Sequence, residues 1–524
     1  MFKRAQDEAG FALITTLLAM LAVLMLVTVS LTYASMSTPI SKHDQNWNGA
    51  LAAANAGIND YLYRLNQNGN YWTYSATNLP SDGNTAFTTW TPVPGGSGTG
   101  SYRYAADTST IAVDGTVKLT STGRVGNATR SIKVTLRRRS FIDYLYFTNY
   151  ETKDPARYDT SQGDPYTPAQ AQSLCAKYYY AGRDSQCVSI FFISQDTING
   201  PLHSNDAIQL CGSPHFNGAT STSYQPASGS RYVACGGGAS PVFANAGDPR
   251  YAAPLTMPPT DLSIKTLTDS SSGGTGCLYT GPTKITFNSG GTMDVVSPLT
   301  KSTNTGCSPG TGLSLPSNGV VYVQNVPATS TDPNYSACPP ATSPLGYPVS
   351  GDITPYGWCD GDVFISGTLS GQLTIASEHN INVIGDTTYA GGTGGTDLLG
   401  LIANNYVQVY HPVNSSCQNL SGRIVDPDIY AAILSLQHSF IVPNYQCGNS
   451  VGTLTVVGAI AQNYRGPVGT FNGSGQIVSG YAKSYTYDQR LKYLSPPHFL
   501  DPVQSAWQVV TWGEIPPAYA YNAP

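Results

Sequence analysis

An unbroken apolar run near the N-terminus is the first feature of the hydrophobic pattern. No charged residue occurs from Phe11 to Tyr33, and Leu, Val, Ala, Met and Ile dominate this stretch. A helix of roughly twenty apolar residues crosses a bilayer. Lys3 and Arg4 precede the run and favour a cytoplasmic N-terminus, because basic residues are retained on that side. The pattern predicts a single-pass membrane protein whose bulk lies outside the cell or at its surface.

Apolar positions continue at helical spacing beyond the run. Between residues 46 and 66 they recur every three or four residues, at Trp47, Ala50, Leu51, Ala54, Ile58, Leu62 and Leu65. This spacing extends the predicted helix across 11–66 and gives it one face that can pack on a globular head. Pro39 is expected to kink or locally open the helix.

Alternating apolar and polar positions follow the predicted helix. The stretches Tyr102–Tyr104, Val117–Gly123 and Ser131–Leu136 have the period of half-buried strands. They predict a small antiparallel sheet laid on the helix, within a β region of 67–140. Residues 141–190 are aromatic at first and then polar, and we expect a loop-rich connector there.

Short apolar runs between Gly, Asn and Asp turns recur throughout 191–480. Between Gly361 and Tyr410 the strand starts recur about every eight to ten residues. We predict a large parallel β-helix, or β-solenoid, in which stacked coils bury a continuous apolar column. β-Sandwich domains would give the same spacing and are the alternative. The aromatic, Pro-rich tail at 481–524 is expected to cap the stack or to pack along its side.

The composition supports a mainly β chain. Charged residues make up 11% of it, whereas Gly (54), Pro (36) and Tyr (35) are abundant. That balance favours a turn-rich β protein over a helical cytosolic enzyme. The formal net charge of −5 offers no attraction to nucleic acid. The basic cluster of Arg130, Lys133 and Arg137–Arg139 is interpreted as a solvated strand edge.

The cysteines predict disulfides in an oxidising compartment. Their number is even and no C-x-x-C spacing occurs, so zinc and thioredoxin-like sites have little support. An even set in an exported chain favours disulfides. Sequence alone leaves the connectivity open, and sequential pairing is expected because each bond would close one local loop: Cys175 with Cys187, Cys211 with Cys235, Cys277 with Cys307, Cys338 with Cys359, and Cys417 with Cys447.

Acidic residues at predicted turns are the candidates for catalysis: Asp352, Asp360, Asp362, Glu378 and Asp386. A carboxylate pair among them would suit a membrane-anchored extracellular carbohydrate-active β-helix enzyme, which is the alternative function. An Asp at a turn more often caps its own backbone. The seven histidines are scattered singly, and lone histidines are usually structural. We therefore predict no enzymatic activity, no metal and no cofactor.

The residues ahead of the apolar run carry a more specific signal. Gly10-Phe11-Ala12-Leu13-Ile14 follows a short leader with basic residues at its start. An ordinary signal peptide has an apolar core of about 7–15 residues, shorter than this one; a plain signal anchor stays open. The segment resembles the class III leader of type IV prepilins. That resemblance implies that residues 1–10 are a leader, that a prepilin peptidase cuts between Gly10 and Phe11, and that Phe11 is then N-methylated.

Two further positions refine the resemblance. Thr15 occupies the fifth position after the cut, where a major pilin usually carries Glu. The stretch from Ala52 to Ile58 resembles the A-A-E-A-G-I segment of PilX-type minor pilins, with Asn55 in place of Glu. The resemblance implies a minor pilin-like or pseudopilin-like subunit with other pilin-like subunits and membrane lipid as partners. A bulky head favours a tip or sparse location, and its Tyr/Asn/Thr-rich surface suggests adhesion to a glycan or cell-surface ligand. Pilus, secretion and competence systems stay open.

Overall fold

The long N-terminal helix is present. The computed structural model describes residues 5–95, 100–111, 115–338, 345–354, 356–473, 475–503 and 506–519. Helix α1 spans Ala5–Gln67. Helical structure continues through Pro39, so the expected local opening does not end the helix. The leader predicted at 1–10 is described from residue 5 onward, and residues 1–4 lie outside the described part.

A small antiparallel sheet packs on the C-terminal half of α1. Its consecutive strands are β1 (Thr91–Pro92), β2 (Gly100–Asp107), β3 (Thr116–Val125) and β4 (Ala128–Arg138). The three stretches predicted from alternation lie in β2, β3 and β4, which confirms the antiparallel sheet. These elements belong to the smaller of two compact units of the chain.

Small residues let the helix backbone lie directly on this sheet. Gly123 of β3 has no space for a side chain, because a Cβ atom there would overlap the carbonyl oxygen of Ala50 and the backbone nitrogen of Ala54. Gly57 of α1 faces the sheet in the same way, and a Cβ atom there would overlap Ser121 Oγ. At Gly123 the β3 backbone lies against the α1 backbone, an approach that glycine on the sheet and alanine on the helix permit; at Gly57 the helix lies against the side chains of β2 and β3.

Aromatic side chains fill the far end of the same interface. The Tyr61 ring lies 5.4 Å from that of Tyr104 and 5.6 Å from that of Tyr71, and the Phe87 ring lies 5.0 Å from Tyr104, all edge to face. Edge-to-face pairs of this kind add to the apolar burial. The Tyr104 hydroxyl donates to Asp60 Oδ2 at 3.0 Å, so the polar end of a buried ring is also satisfied.

The larger unit comprises residues 110–115 and 138–506. Its helices are α2 (Pro168–Cys175) and α3 (Leu262–Lys265). Its strands are β5 (Tyr146–Tyr150), β6 (Thr197–Asn199), β7 (Leu202–Ser204), β8 (Ile208–Gly212), β9 (His215–Phe216), β10 (Thr220–Thr222), β11 (Tyr232–Ala239), β12 (Val242–Phe243), β13 (Arg250–Tyr251), β14 (Cys277–Thr280), β15 (Thr283–Asn288), β16 (Thr292–Val296), β17 (Gly310–Ser314), β18 (Val320–Gln324), β19 (Val363–Leu369), β20 (Gln372–Ser377), β21 (Ile381–Tyr389), β22 (Leu398–Ala403), β23 (Val407–Val409), β24 (Asp428–Ser435), β25 (Phe440–Ile441), β26 (Ser450–Tyr464), β27 (Gly469–Phe471) and β28 (Ile477–Tyr487).

Most of these strands pair in parallel columns. One column runs in the order β13-β10-β7-β5-β26-β24-β22-β20-β18-β14, and a second runs β15-β19-β21-β23-β25. A third links β26 to β28, β6, β9 and β12. Strands β8 and β11 form a separate two-stranded sheet. The large sheet is thus present and mostly parallel, and the β-solenoid stays a prediction.

Buried apolar side chains are stacked in register along the first column. Val321 pairs with Ile375, which pairs with Leu401, then with Ile433 and then with Ile460. All five are fully buried. In parallel strands paired in register, equivalent side chains point to the same side in every layer. Each layer therefore extends the apolar column formed by the layer before it.

The two ends of the larger unit meet. Strand β5 pairs with β26, with Tyr146 opposite Ile460. The amide of Arg139 donates to the carbonyl of Ala506 at 2.9 Å. The connector predicted at 141–190 therefore contributes a core strand as well as loops, and the chain leaves this unit close to where it entered.

The tail predicted as a cap at 481–524 is divided between the units. Its first residues complete β28, and Thr374 Oγ1 of β20 donates to the Pro497 carbonyl at 2.5 Å, along the side of the first column. Strand β29 (Trp507–Ile515) then joins the small sheet next to β4, in the order β1-β2-β3-β4-β29. The last segment thus completes the sheet under α1, and residues 520–524 lie outside the described part.

All ten cysteines form disulfides in the larger unit. The paired Cα atoms lie 4.9–5.5 Å apart, and the bonds join Cys175–Cys187, Cys211–Cys235, Cys277–Cys307, Cys338–Cys359 and Cys417–Cys447. This is the sequential pairing expected from the sequence. Each bond restrains a local loop and contributes stability on the order of 2–4 kcal/mol.

The helix–sheet contact predicts a strong effect of one methyl group. Gly123→Ala should destabilise the small unit by about 1–3 kcal/mol, because the added Cβ must push the α1 backbone off β3. Thermal unfolding of the full chain in detergent measures this. Gly513→Ala is the matched control, since Gly513 lies in β29 with no atom near the added Cβ. Equal melting temperatures for the two variants would contradict the packing described.

Candidate functional site

The N-terminal half of α1 is the part of the chain with the clearest functional character. Residues Phe11–Ser35 have a mean hydropathy of 2.6, and none is buried. Phe11 itself is 73% exposed and Leu26 is 66% exposed. By length and composition this stretch is able to cross a membrane, a property that signal sequences share. An apolar surface that covers the whole circumference of a helix needs a covering other than water.

The hydroxyl groups in this stretch are satisfied by the helix itself. Thr15 Oγ1 donates to the carbonyls of Phe11 and Ala12, at 3.1 and 3.0 Å. Thr16, Thr28 and Thr32 make equivalent bonds one turn back. Such bonds let hydroxyls enter an apolar environment. Thr15 therefore presents no charge and no unsatisfied donor to a neighbouring chain.

The predicted cleavage point lies within α1. Gly10 and Phe11 are consecutive helical residues, and Phe11 is the first residue of the exposed apolar stretch. Cutting there would leave a chain that begins with this stretch. Cleavage and methylation themselves stay predictions.

The C-terminal half of α1 is held by contacts of a different kind. Asn55, at the position where the resembling segment carries Glu, accepts a hydrogen bond from Trp512 Nε1 at 3.3 Å. Arg130 of β4 makes two bonds to the Glu514 carboxylate, at 2.6 and 2.5 Å, and lies 4.9 Å from the Trp47 ring. Part of the basic cluster is therefore engaged within its own unit. The prediction of a solvated strand edge is wrong, because β4 lies between β3 and β29 and Arg137 is buried, although Lys133 is exposed.

Three of the five candidate carboxylates have a hydrogen-bond or ion-pair partner outside the Asp360–Asp362 pair. Asp352 accepts bonds from the amide and hydroxyl of Thr354, and Asp386 accepts from the amide of Asp428 at 3.0 Å. Glu378 pairs with Lys265 Nζ at 2.7 Å. Asp352 therefore caps a turn, Asp386 links β21 to β24, and Glu378 forms an ion pair.

The other two carboxylates meet a histidine. Asp362 Oδ1 lies 2.7 Å from His379 Nδ1, and His379 Nε2 lies 3.7 Å from Asp360 Oδ2. Burial raises the pKa of Asp362. Burial alone would lower the pKa of His379, but the hydrogen bond and charge of Asp362 outweigh it and the pKa is raised. Ligand atoms from the three residues lie within 4.8 Å of one another, so they could hold a cation. The sequence interpretation missed this cluster because it treated His379 as isolated.

A second carboxylate pair surrounds a tyrosine. Tyr322 Oη donates to Asp261 Oδ1 at 2.8 Å and lies 3.4 Å from Glu378 Oε1. Asp261 is fully buried, and its Oδ2 has no hydrogen-bond partner among the described residues. Burial, with a contribution from Glu378, raises the pKa of Asp261 to about 7. Asp261 lies in no recognisable motif, and only the fold brings it to Glu378.

Asp261 should make the stability of the larger unit depend on pH. Its folded pKa exceeds the usual value near 3.9, so its contribution is complete below about pH 4 and is lost as pH rises through about 7. Asp261→Asn, which stays neutral, should raise the free energy of unfolding at pH 8 by up to about 4 kcal/mol and change little at pH 4.

Thermal unfolding at both pH values measures this effect. Asp386→Asn is the control, because Asp386 is exposed and the amide oxygen can still accept the Asp428 bond. If the wild type and Asp261→Asn lost stability in parallel between pH 4 and pH 8, Asp261 would not be the responsible group.

Comparisons with known proteins add little to these observations. No family model matches the sequence, and no curated protein matches it. Among solved structures, the chain is similar to the crystal structure of the competence-associated pilin ComZ from Thermus thermophilus. The identity is 14%, the match covers 90% of this chain and 98% of that chain, and the TM-score is 0.21. A similarity with so low a TM-score supports no conclusion about the fold or function of this chain.

Proposed function

We propose that this chain is a pilin-like surface subunit, inserted by its N-terminal helix and displaying a disulfide-stapled β-rich unit. The observation that carries the proposal is the division of α1 into two halves. Phe11–Ser35 is apolar and exposed on all sides, whereas the half beyond residue 46 is packed on an antiparallel sheet. A helix with these two halves joins a globular head to an apolar assembly or a membrane.

The apolar half of α1 suits such a protein both in the membrane before assembly and in the filament after assembly. Before assembly, lipid covers Phe11–Ser35, since a mainly apolar helix of 25 residues matches the thickness of a bilayer. After assembly, the same surface packs against the apolar helices of other pilin-like subunits. Both coverings remove a similar apolar area from water, so exchange between them requires no change in the helix.

The residue at position 15 and the size of the larger unit fit a minor subunit of the filament better than its repeating subunit. Thr15 offers a hydroxyl already bonded within its own helix, where a repeating subunit would use a carboxylate to pair with a neighbour's N-terminal amine. The larger unit is also far longer in sequence than the small unit. A tip or sparse location avoids packing such a unit beside every neighbour.

The displayed unit is proposed to be a β-solenoid that serves adhesion. Three columns of parallel strands and the in-register stack from Val321 to Ile460 support that architecture. The enzymatic alternative is supported by two carboxylate pairs: Asp261 with Glu378, of which Asp261 is fully buried, and Asp360 with Asp362. Asp362 is buried and bonded to His379, which favours a structural role for that pair.

N-terminal mass spectrometry of the protein from its native membrane tests the pilin-like class. The mature chain should lack residues 1–10 and begin with methylated Phe11. Gly10→Val should abolish cleavage, because a bulky residue at the cut blocks the peptidase, whereas Ala5→Val within the leader should leave cleavage unchanged. An intact Met1 terminus in the wild type would leave a plain signal anchor and refute the proposal.

A further inference from the structure

We propose that a loop-walled pocket in the larger unit binds a saccharide residue that carries a carboxylate. This names a ligand class for the displayed unit and rests on the proposed function only in requiring that the unit face the outside. The pocket has a volume of about 470 Å³, within the usual range for small-molecule sites. Its walls come from two distant stretches of one unit, 153–168 and 441–467.

Both walls are restrained loops. The first wall leads into α2, whose last residue, Cys175, is bonded to Cys187. The second wall contains Gln446, which directly precedes Cys447 of the bond to Cys417. Loops held in place beside a rigid sheet are the usual position of binding residues, and restraint before binding lowers the entropy lost on binding.

One residue of the second wall is held in an unusual conformation. Asn444 lines the pocket with φ = +55°, a left-handed backbone geometry that is uncommon outside glycine. Its side chain is fixed by a bond from Nδ2 to Thr354 Oγ1 at 2.9 Å. Asparagine adopts this geometry more readily than other side chains, and the Thr354 bond holds its amide in one position at the pocket wall.

Arg157 provides the charged donor. Its guanidinium lies 4.4 Å from the Tyr406 ring, which orients it, and its Nε is buried with no hydrogen-bond partner in the described chain. No carboxylate of the described residues lies within 4.0 Å of it. The contact with the Tyr406 hydroxyl leaves the rest of the guanidinium fork for a ligand, and such a planar fork is the side chain best suited to a carboxylate.

The other charged groups of the pocket already have partners. Lys153 Nζ pairs with Asp164 at 2.6 Å. Asp154 accepts from Tyr406 Oη at 2.8 Å and lies 2.9 Å from His438 Nδ1. Asp159 accepts from the amide and hydroxyl of Ser161, at 2.9 and 2.7 Å. Arg157 is therefore the cation of this pocket whose charge is available to a ligand.

The rest of the lining suits a sugar better than a bare anion. Amide side chains of Asn444 and Gln446 both donate and accept, as sugar hydroxyls require. Tyr445 is partly exposed at the pocket wall and adds apolar surface on which the C–H face of a pyranose ring can pack. A small anion would use Arg157 and leave this surface uncovered.

Binding of digalacturonate to the full chain in lipid nanodiscs tests the proposal, with neutral digalactose and acetate as comparison probes. Saturation-transfer NMR titrations should give digalacturonate a dissociation constant about tenfold or more below that of digalactose, because a charge-assisted bidentate contact is worth that much. Acetate should bind more weakly than digalacturonate, since it covers none of the apolar wall.

Arg157→Ala should weaken digalacturonate binding by about 10- to 100-fold and leave digalactose nearly unchanged. Arg157→Met keeps an aliphatic side chain over the Tyr406 ring, so weaker binding by this variant cannot be attributed to unfolding. Both variants should have melting temperatures within a few degrees of the wild type. Arg231→Ala, at an exposed arginine outside the pocket, should have no effect.

Absence of digalacturonate binding, or binding that Arg157→Ala and Arg157→Met leave unchanged, would overturn the proposal. Acetate that competes as strongly as digalacturonate would overturn the saccharide assignment by showing a simple anion site. These outcomes are separate from leader processing. A chain cut at Gly10 without binding refutes the ligand alone, and an uncut chain that binds refutes the pilin-like class alone.

Discussion

The contact between Gly123 and the backbone of α1 is the constraint on which the small unit depends. Glycine at 57 and 123 and alanine at 50 and 54 let a helix and a sheet approach at backbone distance. This approach selects the face of the helix that turns inward and anchors its C-terminal half. The N-terminal half then extends as one continuous helix with no apolar partner among the described residues of its own unit.

The chain accommodates a large second unit without disturbing that contact. It leaves the small sheet after β4 and returns as β29, so the larger unit is an insertion in sequence between two neighbouring strands. The ends of the insertion meet through the Arg139–Ala506 hydrogen bond, and its first strand, β5, pairs with β26 in the core. An insertion whose ends lie close together adds little loop-closure entropy and places little strain on its host.

Local patterns in the sequence predicted the elements well and their long-range partners poorly. The apolar run, the helical spacing to Leu65 and the strand alternation near Val117 and Ile132 correspond to observed elements. The sequential disulfides were also predicted, because each joins neighbouring parts of the chain.

The failures are all matters of distant pairing. Trp507–Ile515 alternates like any strand, and nothing in its residues indicates that it joins a sheet formed some 370 residues earlier. The tail was therefore expected to cap the larger unit or to pack along its side, and only the segment near Pro497 lies along that side. Asp261 and His379 acquire their partners only when layers of the large sheet stack. The pocket around Arg157 is likewise made by two loops that are distant in sequence.

Hydrogen–deuterium exchange of the full chain in lipid nanodiscs tests the central claim, that lipid holds one half of α1 and the sheet holds the other. The wild type should protect both Phe11–Ser35 and the stretch from residue 46 to 67. In Gly123→Ala the second stretch should exchange faster while the first stays protected. Faster exchange in both stretches together, or in neither, would contradict the account.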